Sequence, residues 1–148
     1  MRSPANANAN ANTNANATAN APANGIGIGG AAAAALDGTL VLGFAVIGRA
    51  SHAEQITVPG VLETAWPFLV GLAVGWVLFR AWRDPRGVVV PGLAIAASAI
   101  GVGLVLRALL GDGVPPDFAV VTTIVLGGVL LGWRGVVALV RRSLRRRR

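Results

Sequence analysis

VLETAWPFLVGLAVGWVLFRAW, residues 61–82, carries a carboxylate at Glu63 and an arginine at Arg80, and nothing charged lies between them. A run of this length matches the ~20 residues that an α-helix needs to cross ~30 Å of hydrocarbon. Working outward, VVVPGLAIAASAIGVGLVLRALL (88–110) and FAVVTTIVLGGVLLGWRGVVALV (118–140) have the same character, and LDGTLVLGFAVIG (36–48) is a shorter version of it. Pro59 with Gly60, Asp84 with Pro85, and Asp112 through Pro116 mark the turns between them. The expected fold is all-α: a polytopic membrane protein whose four transmembrane helices form two hairpins. Residues 31–140 hold this bundle, residues 1–30 a low-complexity tail with a glycine hinge, and residues 141–148 a basic tail.

Composition agrees. A hydrophobic fraction of 54% and a mean hydropathy of +0.64 suit lipid better than water, and 20 glycines allow helix backbones to approach closely. All 13 basic residues are arginine, and six of them lie between Arg141 and Arg148, so the net charge of +7 is largely a property of the C-terminus. A basic stretch that directly follows a span and has no stacking aromatics argues against nucleic-acid binding. Its expected partner is the lipid bilayer, through anionic headgroups. Without cysteine, and with one histidine, the chain offers no convincing zinc site, no thiolate chemistry and no cofactor motif. Ser51 and His52, being adjacent, do not make a nucleophile and base. The expectation is therefore a protein that is not an enzyme.

Residues 4–24 alternate asparagine and alanine, with too little large apolar surface to offset chain entropy, and read as a disordered tail. Gly25-Ile26-Gly27-Ile28-Gly29-Gly30 fits GxGxxG by letter, but no strand precedes it, so it reads as the hinge. The link between spans 2 and 3 holds Arg80, Arg83 and Arg86. With the arginine-rich C-terminus, it places both termini inside a cell (inner) membrane by the positive-inside rule. Asn16-Ala17-Thr18 would then be a cytoplasmic sequon, not a glycosylation site.

The first span raises a problem of length. Asp37 and Arg49 are twelve residues apart, which at ~1.5 Å per residue is about 18 Å, short of a ~30 Å core. Either one of them is drawn into the hydrocarbon or both stop short of water, and a charge in that position finds a partner or faces an aqueous cavity. Asp37 and Arg134 should lie at similar depth on the inner side, forming either an interhelical ion pair or, with a polar path to Glu63, a proton relay through Asp37. On the outer side Arg49, His52, Glu54, Glu63 and Arg107 should gather as a polar cluster, serving either as an access site for a solute or as a cap of ion pairs. Pro67 should leave the carbonyl of Glu63 without its helical donor. Thr39, Ser98, Thr122 and Thr123 are the candidate polar lining within the spans.

The two hairpins echo one another. GFAVIGRA (43–50) and GVGLVLRA (101–108) align 58 residues apart, and GLAVGW (71–76) and GVLLGW (128–133) align 57 apart, as expected of a duplicated hairpin. Gly71 with Gly75 and Gly128 with Gly132 are GxxxG pairs for close helix packing, either inside the bundle or in a homodimer.

At Gly48-Arg49-Ala50-Ser51-His52, Thr64-Ala65-Trp66-Pro67-Phe68, Gly75-Trp76 and Gly132-Trp133-Arg134, the chain resembles the uncharacterised bacterial membrane family called domain of unknown function 3054, over about Leu36 to Arg142. The resemblance implies a four-helix integral membrane protein and carries no activity with it. Two functions follow as expectations: a small transporter or channel acting as a dimer through the outer cluster, or a non-catalytic accessory subunit whose helices bind a larger membrane partner.

Overall fold

The computed structural model describes residues 29–52 and 54–147. The expected disorder of the Asn/Ala tail, and all of the GxGxxG motif but its last two glycines, lie outside the described residues. Four helices follow one another: α1 (Gly30–Ser51), α2 (Val58–Leu78), α3 (Val88–Leu110) and α4 (Pro116–Arg146), each long and apolar enough to cross a bilayer. The described residues form an all-helical membrane-type fold with no strand.

Local chemistry sets the ends. The Thr57 side chain accepts from the Gly60 N–H at 3.3 Å, with Pro59 in the first turn of α2. Gly111, at φ 85°, closes α3 in the left-handed region that glycine enters without a Cβ penalty. α2 ends against Arg80, a non-glycine residue at φ 48°, and a single 3₁₀ turn, Ala81–Arg83, follows. α3 opens with a wide π turn over Val88–Gly92, where Pro91 supplies no backbone donor. Pro67 sits inside α2, which runs unbroken past it.

Two boundaries differ from expectation. α1 begins at Gly30 and recruits the poly-alanine run, because alanine is the best helix former and requires no side-chain ordering. Gly30 is therefore helical and not part of a hinge. At the other end α4 continues through Arg146, so most of the basic tail is a rigid extension of the last span and not a separate segment. Its 31 residues span about 46 Å at ~1.5 Å per residue, well beyond the hydrocarbon.

The core is apolar, with its phenylalanines toward the α1–α2 and α3–α4 turns. Phe44 meets Phe68 edge to face at 5.5 Å, and Phe68 meets Phe118 at 6.4 Å. Val41, Ala45, Ala65, Ile95, Ala99, Leu126 and Leu130 fill the remainder with no exposure. The closest seam is α2 on α3. A Cβ on Gly71 would sit 2.7 Å from the Ser98 carbonyl oxygen and 2.8 Å from that of Ala99, and one on Gly75 would sit 3.1 Å from the Ile95 Cα. Ser98 adds an interhelical hydrogen bond to the Gly71 carbonyl at 2.9 Å.

The hairpins are built in one register. α1 and α3 start at Gly30 and Val88, and α2 and α4 at Val58 and Pro116, each 58 residues apart. Some inward positions share the offset: Val41 and Ala99, Phe68 and Leu126, and Leu72 and Leu130 are buried pairs, whereas Thr123 and Val129, the counterparts of buried Ala65 and Gly71, are exposed.

Candidate functional site

Asp37 lies one turn from both Ala33 and Val41 on the buried stripe of α1, and Arg134 one turn beyond Leu130 on that of α4; both side chains are fully buried. The stripes therefore deliver two opposite charges to one point. Arg134 Nη1 donates to Asp37 Oδ1 at 2.8 Å and Nη2 to Oδ2 at 2.6 Å, the two-pronged match of guanidinium to carboxylate. Two indoles complete the shell. Trp76 Nε1 donates to Oδ2 at 3.0 Å and Trp133 Nε1 to Oδ1 at 2.9 Å. Each carboxylate oxygen thus accepts two hydrogen bonds, which fills the acceptor capacity of an ionised Asp. The guanidinium also lies over the Trp133 ring, 4.5 Å from its centroid, and Nη1 donates to the Leu130 carbonyl at 2.8 Å. Gly92 makes room for it, since a Cβ there would stand 3.0 Å from Arg134 Cδ.

An ion pair with every lone pair occupied is a clasp. No acceptor on Asp37 is left for a solute's proton, although on the cation side Arg134 Nε is buried without a partner. A proton relay between Asp37 and Glu63 finds no support, because fully buried Leu126, Leu130 and Phe68 occupy the interval, while Glu63 is exposed at the opposite end of the bundle.

The expected outer cluster separates into two local clasps. Arg49 pairs with Glu54 at 2.8 Å, donates through Nε to the Gln55 carbonyl at 3.1 Å and through Nη1 to Thr64 Oγ1 at 3.3 Å. Arg107 stands 3.9 Å from Asp112 and lies over the Phe118 ring at 4.9 Å. His52 and Glu63 are exposed and, among the described residues, make no side-chain hydrogen bond or ion pair. The sequence reading missed Asp112, although it stands five residues after Arg107 as Glu54 stands after Arg49. Nor did it find that Trp76 and Trp133 spend their N–H groups on Asp37. No group of three or more His, Asp or Glu side chains comes together to hold a metal, among the described residues.

The glycine pairs play unequal parts. Gly71 and Gly75 seat α3, not α4, whereas Cβ atoms on Gly128 and Gly132 would meet nothing within 4 Å. The two motifs align at an offset of 57 while the hairpin starts repeat at 58, but Val129, the counterpart of Gly71 at 58, is exposed as well, so this face of α4 has no neighbour among the described residues at either offset. Two shallow, open recesses lie along α4 and its end: one lined by Ala119, Val120, Thr123 and Ile124, the other by Leu139, Arg142, Ser143, Arg146 and Arg147.

A family model described as protein of unknown function (DUF3054) matches residues 34–137, a span that contains the clasp and both hairpin ends. No curated protein and no solved structure matches the chain.

Proposed function

The chain belongs to the DUF3054 family of proteins of unknown function, and from that premise we propose that it is a non-catalytic accessory subunit of a cell (inner) membrane, whose fourth helix docks a helix of a larger membrane partner. The observation that carries this reading is the open face of α4. Gly128 and Gly132 lie uncovered in the apolar part of the helix, while the same spacing at Gly71 and Gly75 already brings one backbone against another inside the molecule. The inner clasp suits such a role, since it ties α4 to α1 and holds the docking face in one orientation. Arginines in the α2–α3 link and along the end of α4 support an orientation with both termini in the cytoplasm and the basic end among anionic headgroups.

The test is a photo-crosslinking residue placed at Gly132 in cells, with Leu78 on the exposed side of α2 as control. Supporting the proposal is an adduct with another membrane-spanning chain that forms from position 132 and not from 78, and that disappears in Gly128→Leu. An adduct twice the mass of the protein identifies that chain as a second copy, the homodimer. Lipid adducts alone from position 132 sink the docking role.

Transport as a dimer is a second reading. It rests on the half-buried arginine at each outer hairpin end, each with only 17% of its side chain exposed. Flux in vesicles containing the purified protein, lost in Arg107→Gln while insertion persists, would favour it over docking.

A further inference from the structure

The arginines that close α4 fall into two sets. Leu139, Arg142, Ser143, Arg146 and Arg147 line one shallow recess of about 430 Å³ that is open to the surroundings. Their spacing of three and four residues puts them on a single face of a helix that runs unbroken to Arg146. Arg141, Leu144 and Arg145 fall on the other side of the same turns.

The lining of the recess is unlike the other arginine environments of the molecule. Arg49, Arg107 and Arg134 each have a carboxylate, supplied by Glu54, Asp112 and Asp37. No Asp or Glu follows Asp117 along α4, and none of those ion pairs uses Arg142, Arg146 or Arg147. Like charges one turn apart on a helix repel, and here three guanidinium groups converge on one recess. Ser143, the one hydroxyl in the stretch 141–148, lies among them. Guanidinium and hydroxyl donors brought together without a carboxylate fit an anion that presents several oxygens.

We propose that this recess binds the phosphate of one anionic phospholipid, with Arg142, Ser143, Arg146 and Arg147 around its oxygens and Leu139 against the start of an acyl chain. The depth suits a headgroup. Residues 118–140, whose single arginine is neutralised by Asp37, span about 34 Å at ~1.5 Å per residue, so hydrocarbon ends where the recess begins. Polarity changes along the recess in the same order as along a lipid. Leu139, and Val136 one turn deeper in the bilayer, are exposed apolar side chains, and the arginines follow on the water side. That apolar half selects a lipid over a free anion. The proposal rests on the reading of the basic end as lying among anionic headgroups and narrows it to one face; it needs no partner helix on α4.

The experiment places the full chain in phosphatidylcholine vesicles with a trace of phosphatidylglycerol or phosphatidylcholine, spin-labelled on the acyl chain. The immobilised fraction of each label measures which lipid the protein holds. Arg142→Gln and Arg146→Gln should each cut the wild-type preference for phosphatidylglycerol about fivefold. Arg145→Gln removes the same charge from the other side and should keep most of the preference. Ser143→Ala changes no charge and should still lower it about threefold, through the loss of one hydrogen bond to the phosphate. Gln and Ala are good helix formers, so circular dichroism should show α4 intact in every variant. Equal losses in Arg145→Gln and Arg146→Gln, with none in Ser143→Ala, would overturn the site and leave a diffuse attraction to headgroups. No preference for phosphatidylglycerol in the wild type would overturn both. Displacement of the label by inorganic phosphate, against chloride at equal ionic strength, would assign the recess to a free anion and overturn the lipid.

Discussion

Asp37 and Arg134 are worth most as a pair and least as individuals. Removing one partner strands the other's charge in the core, a change that typically costs ~3–5 kcal/mol, whereas replacing both with apolar groups of similar size is often neutral or favourable. Arg134→Met should therefore lower stability by about that amount, as read from denaturant unfolding in mixed micelles. Adding Asp37→Leu to it should recover most of the loss, and a double variant as unstable as the single one would show that the clasp has been misread. Trp76→Phe removes one of four donors and keeps the ring, so a smaller loss of about 1–2 kcal/mol is expected. Arg80 is a second local test. Its left-handed backbone at φ 48° strains any residue with a Cβ, and Arg80→Gly should stabilise the α2 terminus by about 1 kcal/mol in the same assay.

Helix pairing depends on which glycines meet a backbone. Gly71→Ala places a methyl 2.7 Å from the Ser98 carbonyl oxygen, an atom that cannot swing aside, so α2 and α3 must separate. Overpacking of this kind costs about 1–3 kcal/mol. Gly128→Ala and Gly132→Ala enter open space and should leave the melting temperature of the isolated protein unchanged or slightly higher, since alanine favours the helix. The contrast between identical motifs is the useful measurement. Equal losses at Gly71 and Gly128 would show that α4 buries its glycines in the isolated protein after all, and the docking face would vanish with them. The motif's letters were legible in the sequence, but the partner was not, because GxxxG specifies a close approach without saying to what.

Orientation can be tested on the assembled molecule because the chain has no cysteine of its own. Ser51, at the C-terminal end of α1, and Ser143, on the α4 extension, are exposed and suit replacement by Cys. A membrane-impermeant maleimide added to intact cells should label Ser51→Cys, and should reach Ser143→Cys only after permeabilisation. The reverse pattern would place the arginine-rich end outside and remove the basis for its contact with inner-leaflet anionic lipid. The inner clasp also binds the molecule into one unit. It joins the first helix to the last across 97 residues of sequence, and with α2 supplying Trp76 it holds three of the four helices at one depth.

Hydrophobic run lengths alone specify four spans, their turns and the all-helical class, because hydrocarbon admits a backbone only when its polar groups are satisfied within the helix. The shortfall between Asp37 and Arg49 likewise announced a buried charge in need of a partner, and Arg134 stood at the matching depth. Packing settled what linear spacing cannot express. Gly71 enters a seam because α3 packs on that face of α2, and Gly128 stays open because no described residue packs on the corresponding face of α4. The outer charges divided into separate clasps because an arginine next to a loop carboxylate five residues on satisfies it locally, at less entropic cost than a contact gathered from four helices.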